Sequence, residues 1–199
     1  MQATTKEDRP SYPLTKLKSQ AERLRTLLQP ACHRIEIAGS IRRGVPEVHD
    51  LELVALPTTY RLQPALFGAA AEEEASRLDE LVDQLYHART LTPRVTNGRR
   101  AWGSKYRRAW YHVRSGAYPV DLFTVTPPAQ WGLILALRTG PASFSQRLVT
   151  PWEKGGLLPD GLHVSQGAIW QELELLPTPE ESDVFRQLGL PWLPPEARQ

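Results

Sequence analysis

The chain predicts an α+β protein: one main domain over about residues 13–150 and a small α+β lobe over 151–199. Three observations carry this. Residues 34–38, 48–56 and 118–125 read as strands, through alternation or an apolar β-rich run. Residues 14–28, 65–89 and 129–138 carry helical patterns between and after them. Beyond Pro151, a strand pair precedes a capped helix.

Each element has a local reason. Residues 1–12 are hydrophilic and are expected to be a disordered start. In residues 14–28, Leu17, Leu24, Leu27 and Leu28 mark an apolar stripe, and Pro30 ends the helix. Residues 57–64 read as a loop. Residues 65–89 read as a helix, with Leu78, Leu81, Val82 and Leu85 on one face and Glu72-Glu73-Glu74 near its N-terminal half. Asn97-Gly98 is a hairpin turn signal. Pro127-Pro128 opens the helix at 129–138, Thr139-Gly140-Pro141 closes it, and residues 143–150 form a second short helix. In the lobe, residues 161–164 and 168–173 pair across Ser165-Gln166-Gly167. Thr178-Pro179-Glu180-Glu181 reads as a capping box, and Gly189 caps the helix that runs to Leu188.

Composition narrows the function classes. At 41% hydrophobic residues, the chain can bury a core. Its single cysteine, Cys32, excludes an internal disulfide and fits a reducing, cytoplasmic setting. No apolar run approaches the ~20 residues of a membrane span, and His and Cys show no zinc-ligand spacing. Charge is unevenly spread. Residues 84–120 hold eight basic residues and no acid, a block of +8, whereas the chain as a whole carries +2. Such a block is the footprint of a polyanion binder. Within it, Arg99, Arg100, Lys105, Arg107 and Arg108 interleave with Trp102, Tyr106, Trp110 and Tyr111, a pattern suited to phosphates and stacked bases. Arg107 and Arg108 are neighbours on a strand, so one at most faces any carboxylates.

The chemistry gathers around Gly39-Ser40-Ile41-Arg42-Arg43-Gly44. A glycine turn lets backbone N–H groups approach an anion, Ser40 adds a hydroxyl donor, and Arg42 and Arg43 suit phosphate. The following strand puts Asp50 and Glu52 on one face. Asp121 is the lone charge in an apolar strand, a costly position unless it is paired or metal-bound. Three carboxylates beside a phosphate-gripping turn suit two divalent cations on a triphosphate.

These motifs resemble the family X DNA polymerases, of the DNA polymerase beta-like nucleotidyltransferase superfamily. They are joined by Trp131-Gly132, Arg138-Thr139-Gly140 and the tail from Leu188 to Glu196. The resemblance implies a nucleotidyltransferase palm, a mixed or antiparallel sheet with helices on one side, followed by a thumb-like subdomain. It implies Asp50, Glu52 and Asp121 as catalytic residues and ligands of two Mg²⁺ or Mn²⁺ ions. It implies Gly39, Ser40, Arg43, Thr139 and Gly140 as nucleotide-binding residues. The expected activity is addition of nucleotides to a DNA 3′-OH, as in gap filling during repair, with a monomer acting on DNA and nucleoside triphosphates near the nucleoid. The thirty residues ahead of the palm cannot hold the family's helix-hairpin-helix lyase domain, so no lyase activity is expected. Glu52 stands where the family has Asp, and a shift of metal preference towards Mn²⁺ is expected. Leu137 and Arg138 replace an aromatic pair beside the sugar, Pro119 replaces an arginine, and Ser145 is the residue nearest the expected base contact. Two other readings stay open: a nucleotidyltransferase acting on RNA, a protein or a small molecule, and a nucleic-acid-binding adaptor without catalysis.

Overall fold

The computed structural model describes residues 10–61 and 74–198. Five strands form one mixed sheet: β1 (Cys32–Ile37), β2 (Leu51–Pro57), β3 (Leu91–Pro93), β4 (Tyr106–Val113) and β5 (Gly116–Thr124). Their spatial order is β1-β2-β5-β4-β3. β5 runs parallel to β2, and every other neighbouring pair is antiparallel. The parallel pair requires a long crossover. Helix α3 (Arg77–His87), β3 and β4 supply part of it.

Period two divides the sheet into faces. Leu51, Leu53, Ala109, Val120 and Leu122 pack against Leu17, Ala21, Leu24 and Leu28 of α1 (Leu14–Leu28) and Leu78, Val82 and Leu85 of α3. Each buried leucine contributes roughly 1.5–3 kcal/mol. Leu27, expected in the stripe, is instead 37% exposed, because it falls off the face that α1 turns to the sheet. On the opposite face, Val54 and Phe123 meet Trp131 and Leu135 of α4 (Trp131–Thr139). Glu52 and Asp121 precede Val54 and Phe123 by two residues on the same strands, so they share that face.

Several boundaries move. Tyr12, expected in a disordered start, pairs with Val48; residues 1–9 lie outside the described residues. α3 begins at Arg77 rather than near residue 65, because the Ser76 hydroxyl accepts from Asp79 N at 3.2 Å and caps it there. Residues 74–76 pair instead with 59–61, inside the expected loop, while residues 62–73 lie outside the described part. The Asn97-Gly98 turn joins Val95–Thr96 to Arg99–Arg100, with both turn residues at positive φ.

The lobe does not separate at residue 150. Helices α4 and α5 (Ala142–Leu148) share one apolar core with Leu158, Ile169, Val184, Phe185 and Leu188. α4 is therefore apolar on two sides: Trp131 and Leu135 face the sheet, and Leu133 and Ala136 face the lobe. Gly132 allows a close approach, since a Cβ there would overlap the Thr178 and Glu180 carbonyls. The expected strand pair is β6 (Leu162–Ser165) and β7 (Ala168–Gln171), extended by a third strand, β8 (Glu174–Leu176). The capping box of α6 (Glu181–Gln187) is Glu180 with Asp183, two residues later than expected. Thr178 is instead buried under α4, where its backbone carbonyl accepts from Gly132 N.

Candidate active site

The Glu52 and Asp121 Cα positions face each other across the parallel β2–β5 pair. Asp50 precedes β2 by one residue. Glu52 registers its neighbours strongly. Burial first, then the charges of Asp50 and Asp121, push its carboxyl up to about 8, against a partial offset from Arg138 and Arg43. Glu52 therefore feels the charge of both other acids.

Glycine at position 39 has a specific cause. Its φ is +63°, and a Cβ would overlap the Glu52 carboxylate. The turn thus sits directly on the second acid. Ala38 N donates to Glu52 O at 2.8 Å and ties the two segments together. The motif folds as the four-residue helical turn α2 (Gly39–Arg42), whose first N–H groups lack carbonyls four residues back. Ser40 is half-buried, and its hydroxyl makes no side-chain hydrogen bond among the described residues.

The two arginines of the motif reach the lobe. Arg43 donates to Thr139 O at 2.6 Å, and burial lowers its pKa while Glu52 works the other way. Arg42 forms a fork on Glu181 at 2.8 and 2.6 Å and donates to Thr139 Oγ1 at 2.7 Å. Thr139 is fully buried, so its hydroxyl serves that bridge. Gly140 follows it against Phe144. The Ser145 hydroxyl is taken by Leu137 O at 2.6 Å.

The basic segment divides. Arg99, Arg100 and Lys105 are exposed. Arg107, expected on the nucleic-acid side, turns inward to Asp79 and is only 6% exposed. Its place in the β4 alternation puts it beside Ala109 and Tyr111 on the α1–α3 face. Arg108 lies on the acid face, opposite Asp121, with Nε 3.4 Å from Asp121 Oδ1 and 3.0 Å from Tyr106 Oη. The aromatics pack inward more than a stacking platform requires. Tyr111 is buried, Trp102 packs on the main core, and Tyr106 stacks on Phe123 at 4.9 Å.

Sequence reasoning missed Arg94 and gave Arg138 only a place beside the sugar. Arg94 donates to Asp121 Oδ1 at 2.9 Å. No local signal marks it, because the contact depends on β3 pairing with β4. Arg138 lies 4.0 Å over the Phe123 ring, and its charge reaches Glu52. Its position next to Thr139 was the available signal. Arg138, Lys105, Tyr106, Phe123, Ile134 and Gln166 line a cavity of about 340 Å³.

The donor set is all carboxylate oxygen, which suits a hard divalent cation. Among the described residues, no three His, Cys, Asp or Glu side chains form a ready-made metal cage. Asp121 is drawn instead to two guanidinium groups.

The Glu52 shift gives a pH prediction. The folded protein retains a proton that the unfolded chain loses above the ordinary value of 4.5. This group's stabilising contribution is complete below that value and declines as pH rises to about 8. Urea midpoints measured in chelator should therefore fall across this window, and the slope should flatten in Glu52→Gln. Equal slopes in both proteins would show that Glu52 is already ionised.

No helix among the described residues is long and apolar enough to cross a membrane. No curated protein matches the chain. A family model does match its C-terminal third: residues 135–199, which begin inside α4 and include the lobe core, are similar to the DNA polymerase beta thumb.

Proposed function

We propose that this protein is a family X-like nucleotidyltransferase that joins a nucleoside monophosphate from a triphosphate to a nucleic-acid 3′-hydroxyl. The observation that carries the reading is the register of Glu52 opposite Asp121 on one face of the sheet, with the Gly39 turn docked on the Glu52 carboxylate. The thumb match at residues 135–199 supports a nucleic-acid substrate.

Asp50, Glu52 and Asp121 would hold two divalent ions. Bound there, the ions would acidify the hydroxyl and stabilise charge on the attacking and leaving oxygens. The Gly39 turn, the Ser40 hydroxyl and Arg43 would grip the β and γ phosphates. The hydroxyl oxygen attacks the α-phosphorus, the α–β phosphoanhydride bond breaks, and pyrophosphate leaves with its electron pair. Asp121 accepts the hydroxyl proton. Thr139 and Gly140 form the wall beside the nucleotide, with Arg43 anchored on Thr139 O.

Extension of a primer on gapped DNA, with each dNTP and NTP and with Mg²⁺ or Mn²⁺, tests this. Templated addition is expected. Untemplated transfer to RNA, protein or a small molecule would move the protein to another acceptor. That reading gains from Arg107 and Arg108 being engaged by Asp79 and Asp121. Binding of DNA without turnover would mark an adaptor.

A further inference from the structure

We propose that Arg94 is a positioning residue for Asp121, acting with Arg108 as a two-guanidinium clamp that orients the carboxylate and competes with the cation it serves. This rests on the proposed function. Both guanidiniums converge on the same atom, Asp121 Oδ1, at 2.9 Å from Arg94 and 3.4 Å from Arg108. The clamp comes from the sheet: Asp121 faces Arg108 across the antiparallel β4–β5 pair, and Arg94 N donates to Arg108 O at 2.9 Å just beyond β3.

The environment restricts all three side chains. Asp121 and Arg94 side chains are 10% and 18% exposed. Arg94 also lies 5.7 Å from the Trp110 ring, and its Nε is buried with no protein partner. Tyr106 Oη accepts from Arg108 and borders Asp121, and Glu52 stands on the next strand. Two guanidinium groups thus hold one carboxylate. Asp121 is thereby fixed in one orientation before any cation arrives.

Two effects oppose each other when Arg94 is removed. Orientation is lost, and a displacement of about 1 Å at a reacting group can cost roughly 100-fold in rate. A like charge is also removed from beside the cation position, and at such short range this is the larger influence on affinity. Arg94→Ala should therefore bind Mn²⁺ about tenfold more tightly yet transfer nucleotide about 100-fold more slowly. Loss of a merely structural side chain would weaken both.

The experiment measures Mn²⁺ binding by electron paramagnetic resonance, and single-turnover transfer, on the full chain as wild type, Arg94→Ala and Arg94→Lys. A double-mutant cycle of Arg94→Ala with Asp121→Asn, read from urea unfolding in chelator, reports the clamp without metal or turnover. Tighter Mn²⁺ binding, slower transfer, partial recovery in the lysine variant and a non-zero coupling support the proposal. If wild type binds Mn²⁺ and Arg94→Ala binds it equally or more weakly, or if the cycle shows no coupling, the clamp assignment is overturned while the proposed function stands. If wild type binds no Mn²⁺, the proposed function falls and this assignment with it.

Discussion

Asp121→Asn is expected to reduce nucleotidyl transfer by at least ~10³-fold while leaving triphosphate affinity within about threefold. The substitution keeps the shape of a residue that is 7% exposed. It removes the negative charge that would hold a divalent ion and the oxygen that would take the hydroxyl proton. The Gly39 turn, Ser40 and Arg43 belong to a different segment and stay in place. Two consequences in the resting protein can be checked separately. Arg94 and Arg108 would face a neutral amide, which costs about 1–3 kcal/mol of stability and should appear in urea unfolding. Glu52 would lose one of the charges that raise it, so its carboxyl should titrate below about 8. Calorimetry with a non-hydrolysable triphosphate separates binding from chemistry. Transfer at a comparable rate in the asparagine variant would remove Asp121 from the mechanism.

Glu181→Ala should be the most destabilising of the substitutions considered, at about 3–5 kcal/mol. Glu181 is 5% exposed and receives three guanidinium hydrogen bonds, two from Arg42 and one from Arg198 at 2.6 Å. The Arg198 side chain is completely covered and lies about 5 Å from the Phe185 and Trp192 rings. Removing the carboxylate leaves that charge buried without a counter-ion. Since a domain is stable by roughly 5–15 kcal/mol, this loss is a large share of the whole. The same change leaves Arg42 on Thr139 Oγ1 but not on Glu181, so the Gly39 turn loses a tie to α6. Arg34 keeps its fork on Glu180 at 2.7 and 2.9 Å, and the lobe should stay attached through that pair and α4. Unfolding by urea, followed at the tryptophans, measures the effect. A loss under 1 kcal/mol would show that water reaches the triad.

The candidate site was readable in outline because its parts are short motifs. Gly39-Ser40, the Asp50 and Glu52 pair and the lone Asp121 are each visible within a few residues. Their meeting could be anticipated only through a resemblance, because β2 and β5 are neighbours by virtue of the crossover between them. The role of Gly39 was legible only in part. A tight turn was apparent, whereas contact with Glu52 follows from how the turn docks on β2. Arg107 illustrates the opposite case. Composition placed it in a basic surface, and strand alternation turned it towards Asp79.

The sequence by itself determined the elements whose cause is local: the leucine stripe of α1, the Asn97-Gly98 hairpin, the glycine after α6, and the concentration of positive charge in residues 84–120. Tertiary structure alone decided the partners. Arg94 finds Asp121 across 27 residues, and Arg42 finds Glu181 across 139. Backbone propensities and caps act within a few residues, so they are written where they operate. Which charge neutralises which depends on strand order, register and the docking of α4 between two cores, and these arise only when distant apolar faces are buried together.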